Sequence, residues 1–193
     1  MRIIAGKFRG RRLRPADKLP LRPTSDRLRE TLFDILAAAR GLEDSLWLDL
    51  FAGSGAVGLE ALSRGARKAV LVEQARGALA LMRKNIADLE LDPASVEVFA
   101  TPALEAISRL GSLSKQGQKN SFDYVFLDPP YDQEKQYGLV LAALAASDVL
   151  AGDSLVIAEH SKRFAPPTPV GRLHRYRLLR QGDAALSFYR LGD

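Results

Sequence analysis

An α/β domain built on a mostly parallel sheet, preceded by a small basic extension, is the fold this chain predicts. Three observations carry it. Apolar runs suited to buried strands alternate with stretches of helical periodicity, the order that yields parallel strands joined by crossover helices. The alternation gives way only near the C-terminus, where two strand-like runs flank a short turn and read as an antiparallel hairpin. The charge is uneven: residues 1–29 hold ten Lys/Arg against two acids, and the rest of the chain holds 18 basic and 21 acidic residues. All of the net excess of +5 therefore originates at the front.

Residues 1–40 are expected to form a basic hairpin plus a helix, and 41–193 the main domain. Ile3, Ile4, Phe8, Leu13 and Leu19 interleave with Arg9, Arg11 and Arg12, which suits a folded hairpin better than a solubilising tail. Such an Arg-rich segment with an aromatic attracts a phosphate backbone through ion pairing and counterion release. Next, Arg22-Pro23-Thr24-Ser25-Asp26 reads as a helix start capped by Thr24 or Ser25, with Leu28, Leu32, Phe33, Ile35 and Leu36 recurring at helical spacing to about Arg40. Strands are expected at 46–51, 69–73, 96–100, 124–128 and 155–159, and helices at 57–64, 76–89, 103–110 and 134–146. The stretch 111–121 has the composition of a polar loop, and 173–180 with 185–191 form the closing hairpin.

Composition excludes several classes. With 47% hydrophobic and 26% charged residues over 193 positions, the chain can bury a core and resembles an ordinary globular protein. It has no cysteine, so disulfides and thiolate metal sites are ruled out. His160 and His174 have no nearby cluster of carboxylates, so both are expected to be structural or at the surface, and no metal is expected. Trp47, between Leu46 and Leu48, is expected in the core. No apolar stretch approaches the ~18 residues of a membrane span and no signal-peptide core follows the N-terminus, so a cytoplasmic location is expected.

Two motifs carry chemistry. The first, running from Leu48 to Gly58, lies at the first strand-to-helix turn, where open α/β sheets bind ligands. Gly53-x-Gly55-x-x-Gly58 is also a dinucleotide fingerprint, and Glu73 at the tip of the next strand can grip a ribose through both hydroxyls in either case. Asp49 favours S-adenosylmethionine over a nicotinamide, because it is placed to attract an amino group, and a sulfonium needs no phosphate cradle. Phe51, Gly53, Ser54 and Gly55 complete this expected cofactor loop, and Asp128 is a further residue expected to meet the cofactor.

The second motif is Asp128-Pro129-Pro130-Tyr131, at the end of a strand. An exocyclic amine on a base is a weak nucleophile because its lone pair is delocalised into the ring. Catalysis must therefore hold its N–H groups and support the charge that develops. Asp128 can accept one N–H and the Pro129 carbonyl the other, while each proline fixes φ and stiffens the turn. Tyr131 offers a face for a flipped-out base, worth roughly 1–3 kcal/mol. This motif has no use in hydride transfer.

Four blocks together resemble a known family. They are Arg9-Gly10-Arg11 with the run from Leu21 to Phe33, the run from Asp49 to Leu62, Val72-Glu73, and Asp128-Pro129-Pro130-Tyr131. In order and spacing they are similar to the bacterial 16S ribosomal RNA guanine-N2 methyltransferases of the RsmD type, and the Leu186-Ser187-Phe188-Tyr189 segment resembles that family's last strand. The resemblance implies a Rossmann-like methyltransferase with a seven-stranded sheet ending in an antiparallel hairpin, S-adenosylmethionine as cofactor and S-adenosylhomocysteine as its product. Its implied substrate is a guanine of small-subunit rRNA, in the subunit or an assembly intermediate. Arg9, Arg11, Arg12, Arg22, Thr24, Asp26 and Arg27 are then expected to hold the RNA. One departure is Thr101-Pro102-Ala103, where the family usually carries Asp or Asn; the adenine contact falls to the Thr101 hydroxyl or the Ala103 N–H. A monomer suits an enzyme that must approach a large particle.

Three other readings stay open on the sequence alone. The amine could be adenine N6, cytosine N4 or a protein glutamine amide; the protein could be a nicotinamide-dependent oxidoreductase; or it could be a noncatalytic RNA-binding module.

Overall fold

The computed structural model describes residues 1–14, 25–115, 121–130 and 133–192. They fall into two compact units, Met1–Ala100 and Thr101–Asp193.

The first unit begins with an antiparallel turn in which Arg2 bridges Arg12, and Ile3 N–H donates to the Arg11 carbonyl at 3.0 Å. Ile3 and Leu13 are buried beneath it, which is why this Arg-rich segment folds. Helix α1 (Asp26–Ala39) starts where Ser25 Oγ accepts from the Leu28 N–H at 3.1 Å, and it buries Leu28, Leu32, Phe33 and Leu36 along one face. Gly41 ends it in the left-handed region, φ +76°, donating to the Leu36 carbonyl. Strands β1 (Leu46–Asp49), β2 (Lys68–Val72) and β3 (Val96–Phe99) lie parallel in the order β3-β2-β1. Helices α2 (Ala56–Ser63) and α3 (Arg76–Asp88) make the crossovers. Trp47 is fully buried with its ring centroid 5.4 Å from that of Phe33, so the expected core role holds.

The second unit holds α4 (Ala103–Lys115), β4 (Phe122–Leu127), α5 (Lys135–Ala145), β5 (Leu150–Ser161), β6 (Leu173–Gln181) and β7 (Ala184–Leu191). Its strand order is β4-β5-β7-β6, with β4 and β5 parallel and β7 antiparallel to both β5 and β6. The seven strands form a mostly parallel sheet that ends in an antiparallel hairpin, the fold class expected from the sequence. Among the described residues, no helix is long and apolar enough to cross a membrane.

Three expected boundaries need correction. The loop expected at 111–121 is helical as far as Lys115, because Gly111 is buried with its Cβ position 3.8 Å from Ser147 Cβ, and packing overrides composition. Residues 116–120 of that stretch lie outside the described residues. Strand β1 stops at Asp49 instead of 51, since the chain turns there and Ala52 N–H donates to the Val72 carbonyl at 2.9 Å. Strand β5 begins at Leu150, five residues before the expected start at 155.

Candidate active site

The glycine turn is built by what its glycines make possible. Gly53 (φ +54°) and Gly55 (φ +82°) occupy the left-handed region that side chains disfavour, and Gly55 is the N-cap residue of α2. Gly58 serves packing: a Cβ there would stand 2.3 Å from Leu71 Cδ2 of the neighbouring strand. Around the turn, Asp49 is buried at the end of β1, Phe51 is half-buried, and Ser54 is buried with its carbonyl accepting from Asn85 Nδ2 at 2.9 Å.

Glu73, just beyond β2, closes the turn. Its Oε2 accepts from Gly53 N–H at 2.9 Å, and its Oε1 accepts from Gln74 and Ala75 N–H, both at 2.8 Å. One carboxylate thus fixes the glycine loop and supplies the start of α3 with the acceptor that its N-cap residue, Ala75, lacks. This structural role was not visible in the sequence, which offered Glu73 only as a ribose ligand.

In the second unit, Thr101 and Ala103 are buried at the start of α4, where Ala106 N–H donates to the Pro102 carbonyl at 3.0 Å. Strand β4 delivers Asp128, half-buried, followed by a buried Pro129 and an exposed Pro130. The Pro130 carbonyl accepts from Gln133 N–H at 2.8 Å, turning the chain towards α5. Tyr131 lies outside the described residues. Glu159, at the end of β5, is buried, and its carbonyl accepts the Tyr137 hydroxyl at 2.7 Å.

Of the residues expected to meet RNA, Arg9, Asp26 and Arg27 converge on one surface cleft of about 290 Å³, together with Arg2 and Glu30. Arg12 is exposed, whereas Arg11 donates its Nη2 to the Asp88 carbonyl. Arg14 also pairs with Asp88 at 2.7 Å, and this hydrogen bond holds the Asp88 carboxyl below its ordinary range. Arg22 and Thr24 lie outside the described residues.

Sequence reasoning missed a buried ion pair beneath this surface. Arg29 and Glu60 are both fully buried, with Arg29 Nε 3.7 Å from Glu60 Oε2. Glu60 also accepts from Ile4 N–H at 2.8 Å, Ala5 N–H at 3.0 Å and Arg64 Nε at 2.8 Å, while Arg29 Nη2 donates to the Arg2 carbonyl and to Asp26. The available signal was one acid inside the otherwise apolar Ala56–Leu62 run. Among the described residues, no group of three or more His, Cys, Asp or Glu could hold a metal ion.

The sheet with its glycine turn is the fold of S-adenosylmethionine-dependent methyltransferases. The chain belongs to the family described as Conserved hypothetical protein 95, the RsmD family, whose model matches residues 1–190. It is 36% identical, over 98% of its length and 89% of the relative's, to the Ribosomal RNA small subunit methyltransferase D of Escherichia coli strain K12. It is 34% identical, over 99% of its length and 92% of the relative's, to the protein of the same name in Haemophilus influenzae. Among solved structures, the hypothetical protein TTHA0928 of Thermus thermophilus superposes with a TM-score of 0.80 at 33% identity, covering 97% of this chain and 98% of that one. SMU.776, solved as a complex with SAH, has a TM-score of 0.66 at 14% identity, covers 84% of this chain and 49% of that chain, and shows the fold alone.

Proposed function

We propose that this chain transfers a methyl group from S-adenosylmethionine to the exocyclic N2 of a guanine in small-subunit ribosomal RNA. The observation that carries this reading is the end of β4, where a half-buried carboxylate, Asp128, is followed by a buried proline with no N–H of its own to compete for its carbonyl. That is an acceptor pair suited to a planar NH2 group. The names of relatives matched almost end to end, in Escherichia coli and Haemophilus influenzae, support ribosomal RNA as the substrate.

The residues fit the cofactor. The loop from Asp49 to Gly58 contains no Lys or Arg, and its one acid, Asp49, together with Glu73 beyond β2, suits an amino group and a ribose hydroxyl better than a pyrophosphate. When bound, S-adenosylmethionine supplies an electrophilic methyl group. Asp49 attracts the amino end, Phe51 packs nearby, and the turn at Gly53, Ser54 and Gly55 admits close approach of the backbone. Glu73 Oε2, which accepts only the Gly53 N–H, retains capacity for a ribose hydroxyl, whereas Oε1 is filled by the Gln74 and Ala75 N–H groups. Thr101 or the Ala103 N–H meets the adenine. Asp128 and the Pro129 carbonyl orient the amine, Pro130 stiffens the turn, and Tyr131 stacks on the base. Positioning and electrostatic support of developing charge supply most of the rate. The cleft residues Arg9, Asp26 and Arg27, with Arg11, Arg12, Arg22 and Thr24, hold the RNA, and the chain acts as a monomer.

Two measurements test this reading. Titration with S-adenosylmethionine and with a nicotinamide dinucleotide should reveal affinity for the first only; the reverse would restore the oxidoreductase. At saturating cofactor, Asp128→Ala should lower methyl transfer by about a hundredfold or more, and near-normal turnover would remove Asp128 from catalysis.

A further inference from the structure

The basic extension is not the only cationic surface. Between Lys162 and Arg190 the chain has seven Lys/Arg and one acid, Asp183, a cluster hidden by the acidic average of residues 30–193. Lys162 pairs with Asp183 at 2.8 Å, which leaves the arginines of the β6–β7 hairpin to set the local charge.

On this hairpin the cations are interleaved with rings. The Arg190 guanidinium lies 4.2 Å from the Tyr176 ring centroid, the Tyr176 and Phe188 centroids are 6.4 Å apart, and the Arg177 guanidinium lies 5.7 Å from the Phe188 centroid. The register, with His174 opposite Arg190 and Arg177 opposite Phe188, places the row on one face of the hairpin. Phe188 is fully buried and anchors the row, whereas Tyr176 is 45% exposed. The register shifts between Arg175 and Arg177, so Tyr176 occupies a bulge, the device by which strands re-aim a side chain.

Strand β6 is the last in its sheet, and charge with a bulge would suffice to blunt such an edge. Edge protection gives no reason for a half-exposed tyrosine stacked by a guanidinium. An unpaired RNA strand uses every part: phosphates take the arginines, and a base takes the exposed ring.

We propose that this face is a second RNA contact, in which Arg177 and Arg190 pair with phosphates and Tyr176 stacks on an unpaired base. It rests on the rRNA reading above for the identity of the partner. The test uses the full chain and in vitro transcribed 16S ribosomal RNA, with affinity measured across a salt series. The double variant Arg177→Gln/Arg190→Gln should reduce the slope of log affinity against log salt by about 1.5, while Arg177→Lys/Arg190→Lys should retain it. Tyr176→Ala should weaken binding about tenfold and Tyr176→Phe should bind as wild type. S-adenosylmethionine affinity and the melting curve report that each variant is folded. Should wild type bind the RNA while the Gln and Ala variants match it, the hairpin proposal is overturned and the rRNA reading stands. A wild-type chain without salt-dependent affinity for the RNA would overturn both.

Discussion

Gly6 illustrates how much a single position can demand. Its φ is +81°, and a Cβ there would stand 1.8 Å from the backbone carbonyl oxygen of Ser63, which cannot move without displacing the end of α2. No local pattern hints at this, because the demand comes from a contact 57 residues away in the chain. Combining left-handed strain with overpacking, Gly6→Ala should cost about 2–4 kcal/mol in urea unfolding. A variant as stable as wild type would show that the arm sits differently. Gly53, Gly55 and Gly58 were legible because their spacing is itself the signal of a turn, a helix start and a close helix–strand contact. Glu73 was legible only by position: its three backbone N–H partners depend on how the loop folds back, which the neighbouring residues do not encode.

At the level of elements, apolar periodicity found every strand and α-helix among the described residues but misjudged several ends. Leu50 continues the apolar run of β1 yet is buried within a turn, so hydrophobicity cannot mark where the strand stops. In β5, Gly152-Asp153 reads as a turn and is exposed, but the strand runs through it, with Ala151 N–H donating to Ser154 Oγ at 2.7 Å. The docking of the arm on α2 depends on Glu60, whose removal strands Arg29 and two backbone N–H groups. Glu60→Ala should therefore cost about 3–5 kcal/mol by denaturant unfolding, and a loss under about 1 kcal/mol would discount the pair. A second element contact is sensitive to pH. Buried His160 of β5 donates from Nδ1 to the Ser161 carbonyl and accepts at Nε2 from the Ser187 hydroxyl of β7, both at 2.8 Å. Burial, chiefly, holds its pKa below the ordinary 6.5, with the Arg175 and Arg180 charges adding to the effect. The unfolded chain then binds the proton more readily, so this stability is complete above about pH 6.5 and is lost as the pH falls below it. Thermal unfolding from about pH 7 to pH 5 should be steeper for wild type than for His160→Gln, and identical profiles would refute the assignment.

For the whole molecule, the class of fold was readable because alternation and crossover rules leave few arrangements for such a pattern. The acidic average of the later sequence concealed the arginines of β6 and β7, since their grouping on one face appears only once the hairpin's register is known. The central proposal is that a glycine turn with Asp49 and Glu73, and a strand end with Asp128 and Pro129, serve one reaction on ribosomal RNA. Its most direct test is transfer of labelled methyl from S-adenosylmethionine to small ribosomal subunits, and to their free RNA, from cells lacking the enzyme, followed by nucleoside analysis. The account predicts label in N2-methylguanosine; label confined to another nucleoside or to protein, or no label despite tight cofactor binding, would contradict it.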